Sequence, residues 1–170
     1  MVKVFICVMV FSCSYFIGHI KASVFKSRRI EIENTIELIK LLEIELTYRR
    51  DTLVRTLEKV SELKQGWTSC LFKEISIYMQ RMQSLDKAWE TTLAGMSSTC
   101  PLNKEDIAVL NDVFAGLGKS DIDSQKKLFK PALLRLTSNY ETALKQEEKY
   151  SRLYKTMGSA VGAVMVITVI

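Results

Sequence analysis

The sequence predicts an all-α protein: a cytoplasmic bundle of about six helices, flanked by an N-terminal transmembrane helix and a C-terminal hydrophobic membrane segment. The 170 residues include only two prolines and seven glycines, and no segment alternates apolar and polar residues over the length of a strand. Apolar residues instead recur every three or four positions through the middle of the chain. We expect an anchor over 1–22, a helical domain over 26–155 and a second membrane segment over 157–170.

The first apolar segment, 4–20, contains no acidic residue and no Lys or Arg. We predict an uncleaved anchor, which needs about 17–25 apolar residues. Two other interpretations stay open. A cleaved signal peptide would begin at Lys3, although no small-x-small cleavage site follows and the next segment is basic. A lipoprotein signal would end at Cys13, although Phe11 stands where a small residue is usual.

The second apolar segment, 157–170, is short for a membrane span. As a helix it rises about 21 Å, against a hydrocarbon core of about 30 Å. It spans if Lys155 extends towards the headgroups, if Tyr150 and Tyr154 lie at the interface and if the bilayer thins locally. The alternative is a helix buried in a soluble core. The absence of a strongly polar face over 158–170 favours the membrane segment.

Basic residues flank both apolar segments on the side of the middle domain, which predicts that this domain is cytoplasmic. They are Lys21, Lys26, Arg28 and Arg29 after the first segment, and Lys145, Lys149, Arg152 and Lys155 before the second. Small residues also lie one helical turn apart in each segment, which would allow the segments to pack closely. These are Ser14 and Gly18, and Gly158 and Gly162.

The first two helices of the middle domain follow from their apolar stripes. The first stripe consists of Ile32, Ile36, Ile39, Leu42 and Leu46, and the second of Leu53, Leu57, Val60 and Leu63. The turn over 48–50 is short, so we expect the two helices to be antiparallel. Asp51 or Thr52 is the candidate cap of the second helix, and Gly66 closes it.

Polar capping residues predict where the remaining helices begin. Ser69, Ser84 and Asn103 are the candidate caps of helices three, four and five. Segment 97–103, which contains Pro101, is the predicted loop before the fifth helix, 104–117. The last helix runs from about residue 121 towards the membrane. Pro131 is expected to kink or split it.

The tripeptide Gly118-Lys119-Ser120 matches the end of a phosphate-binding P-loop. A P-loop needs glycine five positions before Gly118, where this chain has Val113, and it follows a strand rather than a helix. We therefore interpret the segment as a turn, with Gly116 or Gly118 closing one helix and Ser120 or Asp121 capping the next. A nucleotide-binding or ATP-driven protein that uses this loop remains the alternative.

Several motifs resemble the stage III sporulation protein AB family. The segment 117–121, LGKSD, followed by Gln125, is similar to its LG-x-S/T-D, then Q, signature. Segment 41–48, LLEIELTY, resembles the end of the family's long first helix, and segment 154–162 resembles its closing LG-x-x-G membrane segment. Trp89 lies where the family carries a tryptophan-containing helix. The chain departs from the pattern at Arg49 to Leu53, where the family usually has glycine and then Thr-Pro-Leu.

The resemblance implies a role in endospore formation. The family belongs to a complex that joins mother cell and forespore, and it is similar to the platform protein F domain of type II secretion and type IV pilus machines. It implies a non-enzymatic membrane scaffold that couples a cytoplasmic ATPase to membrane components. Expected partners are other stage III sporulation proteins, including that ATPase, and a second copy of the chain. The expected location is the outer forespore membrane on the mother-cell side.

The sequence offers few residues for catalysis or metal binding, so we expect no enzymatic activity, no cofactor and no metal. His19 is the only histidine, and Cys7, Cys13, Cys70 and Cys100 form no C-x-x-C pair. The basic residues are scattered among acidic ones without interleaved aromatic residues, which argues against nucleic-acid binding. A lipidated extracellular helical domain is the remaining alternative.

Protein binding is therefore the predicted activity, and two charged surfaces are candidates. The first is the hairpin with Glu43, Glu45, Arg49, Arg50 and Asp51. The second is the capped turn with Lys119, Asp123, Gln125 and Lys126. Other residues of the family motifs are expected to set the fold rather than to contact a partner: Tyr48, Trp89, Gly118, Ser120, Asp121, Gly158 and Gly162.

Overall fold

The computed structural model describes residues 2–49, 51–82, 84–117 and 122–169, and these residues form helices and no strand. The predicted all-α class is confirmed. The helices are α1 (Val2–Ile44), α2 (Leu53–Glu62), α3 (Trp67–Met82), α4 (Leu85–Met96), α5 (Lys104–Leu117) and α6 (Ile122–Val169). A π-helical turn over Glu45–Arg49 follows α1, and a short 3₁₀ turn over Ser97–Thr99 follows α4.

The chain divides into two compact units. The terminal unit comprises Met1–Arg29 and Glu141–Ile170, and the central unit comprises Ile30–Tyr140. The terminal unit contains the beginning of α1 and the end of α6. The central unit contains the rest of α1 and α6, the other helices and most of the buried apolar residues.

In the terminal unit, α1 and α6 are antiparallel. Arg28 Nη1 donates to Gln146 Oε1 over 2.8 Å, and the Phe25 ring stacks on Tyr150 with centroids 5.2 Å apart. Phe25 precedes Arg28 on α1, whereas its partner Tyr150 follows Gln146 on α6. The two helices therefore run in opposite directions. The apolar segments 4–20 and 157–170 consequently lie at the same end of this helical pair.

No helix in the described part of the chain is both long enough and apolar enough to cross a membrane. The two predicted membrane segments consist largely of residues whose side chains lie outside the described part. Gly158 and Gly162 lie within the second of these segments, in α6.

The core of the central unit follows the predicted stripes. In α1, Ile32, Ile39, Leu42 and Leu46 are buried, and Ile36 is half-buried. In α2, Leu57 and Val60 are buried, but Leu63 is 56% exposed because α2 ends at Glu62. In α5, Leu110, Val113, Phe114 and Leu117 are buried.

An aromatic cluster occupies the middle of this core. The rings of Trp89 and Phe114 stack with centroids 4.6 Å apart, and Phe72 meets Phe114 edge-on at 5.5 Å. The indole nitrogen of Trp89 donates to Asn111 Oδ1 over 3.0 Å, which satisfies the polar atom of this buried side chain. The cluster joins α3, α4 and α5, and Trp89 contributes its ring from α4.

Of the predicted helix caps in the described part of the chain, one makes the side-chain hydrogen bond, two occupy the cap position without one, and one is wrong. Asn103 caps α5, because its Oδ1 accepts a hydrogen bond from Asp106 N over 2.8 Å. Ser69 does not cap α3, which begins at Trp67, and this prediction was wrong. The carboxylate of Glu31 performs the capping instead, since its Oε1 accepts from Thr68 N over 2.7 Å. Thr52 and Ser84 precede α2 and α4 without a side-chain cap hydrogen bond.

Pro131 does not split the last helix. Helix α6 is assigned as one α-helix from Ile122 to Val169, and Pro131 lies on its exposed side. The proline ring therefore faces away from the core of the central unit. Its neighbours Phe129 and Ala132 are buried, so the apolar face of α6 continues past it.

The prediction that Gly66 closes α2 was wrong, because α2 ends at Glu62 with Leu63 as its C-cap. Gly66 lies in the connection between α2 and α3, where space is limited. A Cβ atom there would lie 3.0 Å from Glu31 Oε2 and 3.2 Å from Asn34 Nδ2. At Gly95 in α4, a Cβ atom would meet nothing within 4 Å. We predict that Gly66→Ala lowers the free energy of unfolding by about 1–2 kcal/mol, because it displaces the capping carboxylate.

Gly95→Ala is the matched control. The same added methyl group meets open space in a helix and is expected to raise the free energy of unfolding by about 0.5–1 kcal/mol. Urea unfolding followed by circular dichroism measures both changes. Equal effects of the two substitutions would contradict the role assigned to the close contact between Gly66 and Glu31.

Candidate functional site

The candidate hairpin is formed by the end of α1, the π-helical turn and the start of α2. Lys59 Nζ on α2 donates to both carboxylate oxygens of Glu45, each over 3.0 Å. Glu45 is 9% exposed, so this ion pair closes the base of the hairpin rather than forming part of its outer surface. A buried carboxylate requires such a partner, because an unpaired charge would be costly there.

The outer surface of the hairpin carries other charges. Asp51, Arg55 and Glu58 are exposed, and Glu43 is half-buried. Arg50 and the side chains of Tyr48 and Arg49 lie outside the described residues. Among the predicted hairpin residues whose side chains are described, a partner can therefore reach Glu43 and Asp51.

The candidate capped turn lies largely outside the described residues. Gly118, Lys119, Ser120 and Asp121 lie outside the described residues, and so do the side chains of Asp123, Gln125 and Lys126 at the start of α6. The preceding segment is described, and it is helix α5 with Val113 buried at 1% exposure. A P-loop follows a strand, so the context of the Gly-Lys-Ser tripeptide is not that of a nucleotide site.

A buried polar cluster around Glu31 joins α1 to α3 and was missed from the sequence. Besides the bond from Thr68 N to the Glu31 carboxylate, Thr35 Oγ1 lies 2.8 Å from Thr68 Oγ1 and donates to the Glu31 carbonyl over 2.7 Å. All three side chains are buried. The periodicity places Glu31 beside the buried stripe, but its partner lies 37 residues away in the sequence.

A second buried polar cluster surrounds Asp106 and joins α5 to α6. Asp106 is fully buried; its Oδ2 accepts from Asn103 N over 3.0 Å, and its Oδ1 accepts from Asn139 Nδ2 over 2.8 Å. The reciprocal bonds between Asn103 and Asp106 form a capping box. The spacing Asn-x-x-Asp is the sequence signal for the capping box. No local pattern in the sequence indicates that Asn139 contacts Asp106.

A shallow cleft of about 540 Å³ lies between α4, the 97–103 loop and α5. Its lining includes Leu93, Ser97, Cys100, Leu102, Ile107 and Asn111. Burial raises the pKa of the Cys100 thiol, and the nearby carboxylates of Glu31 and Asp106 raise it further. The thiol therefore stays protonated near neutral pH, which is the opposite of what a nucleophilic or metal-binding cysteine needs. The described residues contain no cluster of three or more potential metal ligands.

The two described cysteines should differ in reactivity. Cys70 is exposed, whereas Cys100 is half-buried with a raised pKa. We predict that a maleimide reagent at pH 7 modifies Cys70 at least about tenfold faster than Cys100, because only the thiolate reacts. Mass spectrometry of the Cys70→Ser and Cys100→Ser variants during labelling separates the two rates. Equal rates would contradict the burial of the Cys100 thiol.

Comparisons with known proteins bear on the whole chain. The family model described as Stage III sporulation protein AB matches residues 3–170. A Bacillus subtilis (strain 168) protein named Stage III sporulation protein AB is 24% identical over 168 residues, which cover 98% of each chain. A solved structure of a Stage III sporulation protein AB is similar with a TM-score of 0.67 and 26% identity, covering 72% of this chain and 98% of that chain.

Proposed function

The chain belongs to the stage III sporulation protein AB family, and we propose that it is a non-enzymatic platform subunit of a stage III sporulation complex in a membrane. Family membership supports a sporulation-related role for it. In the proposal, both ends of the chain are anchored in the outer forespore membrane. The helical domain over 26–155 extends into the mother-cell cytoplasm and couples a cytoplasmic ATPase to the membrane components.

The antiparallel register of the terminal unit carries the proposal. The contacts of Phe25 with Tyr150 and of Arg29 with Glu147 bring the two apolar segments to one end of the helical pair. Two anchors that connect to a single cytoplasmic domain must approach the membrane from the same side. The basic residues that flank both apolar segments on the side of the domain favour the same orientation.

The hairpin is the proposed docking surface for the ATPase. The ion pair between the buried Glu45 and the partly exposed Lys59 fixes the base of the hairpin, so the charges beyond it project from a defined support. Glu43 and Asp51 are reachable there, and Arg49 and Arg50 lie in the same turn. Mixed charges of this kind favour an electrostatically complementary protein partner.

A second copy of the chain is a further proposed partner. The chain carries one helical domain where related platform proteins often carry two, so a homodimer would supply the second. Sedimentation of the full chain in detergent tests this. A mass of two chains at micromolar concentration is expected, and a single chain at the highest accessible concentration would exclude the homodimer.

Labelling of Cys70 tests the orientation of the domain. A membrane-impermeant maleimide should not modify Cys70 in intact sporulating cells and should modify it after permeabilisation, because the thiol is exposed on the domain. The Cys70→Ser variant controls for other thiols. Rapid labelling of Cys70 in intact cells would contradict the proposal and favour a lipidated extracellular domain.

A further inference from the structure

The terminal unit exposes a cluster of basic side chains on α1 and α6. We define this basic collar as Lys21, Lys26, Lys145, Lys149 and Arg152, all of which are exposed. Lys145, Lys149 and Arg152 surround a shallow cavity of about 520 Å³, whose remaining lining residue is Glu148. The structure describes no ion pair between these three cations and any described acidic residue.

Neighbouring residues fix the collar without neutralising it. Arg28 and Arg29 on α1 bind Gln146 and Glu147 on α6 over 2.8 and 2.5 Å. These two bonds join the helices. In the second bond, Glu147 pairs with Arg29 rather than with a collar lysine. Lys149 Nζ lies 5.5 Å from the centroid of the Tyr150 ring, a cation–π distance that orients this lysine.

Aromatic and exposed aliphatic side chains alternate with the collar cations along both helices. The Phe25 ring stacks on Tyr150 and on Tyr154, with centroids 5.2 and 6.0 Å apart. Exposed apolar side chains lie beside these rings and cations on both helices. They are Ile20 at 51%, Val24 at 57%, Leu153 at 43% and Met157 at 53% exposure.

Cations, aromatic rings and exposed aliphatic side chains occur together on the part of the helical pair that adjoins the apolar segments, and this combination is typical of a membrane interface. Exposed aliphatic side chains beside cations are unfavourable in water, whereas they are stabilised where they meet acyl chains. Nucleic acid would neutralise the cations but would leave these apolar side chains in water. This combination of side chains therefore favours a lipid surface over a nucleic-acid partner.

We propose that the basic collar binds the headgroups of acidic phospholipids, so that the protein selects an anionic bilayer and enriches acidic lipid around itself. The proposal rests on the membrane location in the proposed function and adds the lipid class to it. The three cations around the cavity provide several donors for one phosphate group. Glu148 at the cavity edge is the acidic residue that opposes this binding.

Lipid retention by the full chain tests the proposal. The protein is incorporated into nanodiscs that contain equal amounts of phosphatidylglycerol and phosphatidylcholine, then extracted in mild detergent, and the retained lipids are counted by mass spectrometry. We expect phosphatidylglycerol to be enriched, less so at high salt. The triple variant Lys145→Gln/Lys149→Gln/Arg152→Gln should lower the enrichment by at least about fivefold, the change expected from even a single lost cation.

A triple variant of the central unit is the matched control. Lys73→Gln/Lys87→Gln/Lys130→Gln removes the same charge from exposed helical positions that are not part of the collar, and it should retain the enrichment. Equal enrichment in the two triple variants would overturn the collar. Binding of duplex DNA through the collar cations, without lipid enrichment, would also overturn it.

Resistance to carbonate extraction from vesicles separates the collar from the anchors. If the wild type and the collar variant both insert and retain the two lipids in the same ratio, the result would overturn lipid binding by the collar but not the membrane anchors. A chain that fails to insert, yet sediments with phosphatidylglycerol vesicles only when the collar is intact, would support the collar and contradict the anchors. Failure both to insert and to bind would overturn both.

Discussion

Phe114→Ala is expected to lower the free energy of unfolding by about 3–5 kcal/mol, the cost of truncating a large buried aromatic residue. Phe114 is 1% exposed and lies between Trp89, stacked at 4.6 Å, and Phe72, edge-on at 5.5 Å. Its removal leaves a cavity at the point where three helices meet. The surrounding rings are rigid, so they cannot fill this cavity by changing rotamers.

Urea unfolding of the full chain in mild detergent, followed by circular dichroism, measures this loss. Leu134→Ala is the control, because Leu134 is 65% exposed and its truncation should change stability by no more than about 0.5 kcal/mol. A loss below about 1 kcal/mol for Phe114→Ala would contradict the central position of the aromatic cluster.

Glu31→Ala is expected to lower the free energy of unfolding by about 2–3 kcal/mol. The substitution leaves the buried Thr68 N–H at the start of α3 without an acceptor, and it removes the polar neighbour of Gly66. Glu31→Gln should cost less than half as much, because the glutamine oxygen still accepts from Thr68. This difference distinguishes a hydrogen-bonding role from a purely steric one.

Glu74→Ala is the control for Glu31→Ala, since Glu74 is exposed on α3. It should change the free energy of unfolding by no more than about 0.5 kcal/mol. The same urea titration reports all three variants. If Glu31→Gln destabilises the protein as much as Glu31→Ala, the carboxylate is not acting through the hydrogen bond to Thr68.

Apolar periodicity was sufficient to predict much of the central unit. The stripes that contain Ile39, Leu57 and Leu110 are buried as expected, because a helix that packs on one face must repeat apolar residues at its own period. The periodicity also predicts Leu63 in the core, because it follows Val60 by three residues. The helix ends before it, and the pattern alone does not show where a helix stops.

Long-range polar contacts could not be predicted in this way. Ser69 has the residue type of a cap, yet it lies inside α3 and Glu31 from another helix performs the capping. Glu45 has the appearance of a surface charge, yet Lys59 on the next helix pairs with it and it is buried. In both cases the deciding contact depends on how two helices pack, which a local motif does not encode.

Crosslinking in sporulating cells, followed by purification of the tagged full chain, tests the platform role most directly. We predict recovery of the complex's own cytoplasmic ATPase, and its loss on Arg49→Glu/Arg50→Glu with the circular dichroism of the protein unchanged. Lys87→Glu/Lys130→Glu, an equal charge reversal at exposed positions of the central unit, should retain the ATPase. Recovery of membrane partners alone, with no ATPase from the wild-type chain, would contradict the coupling role.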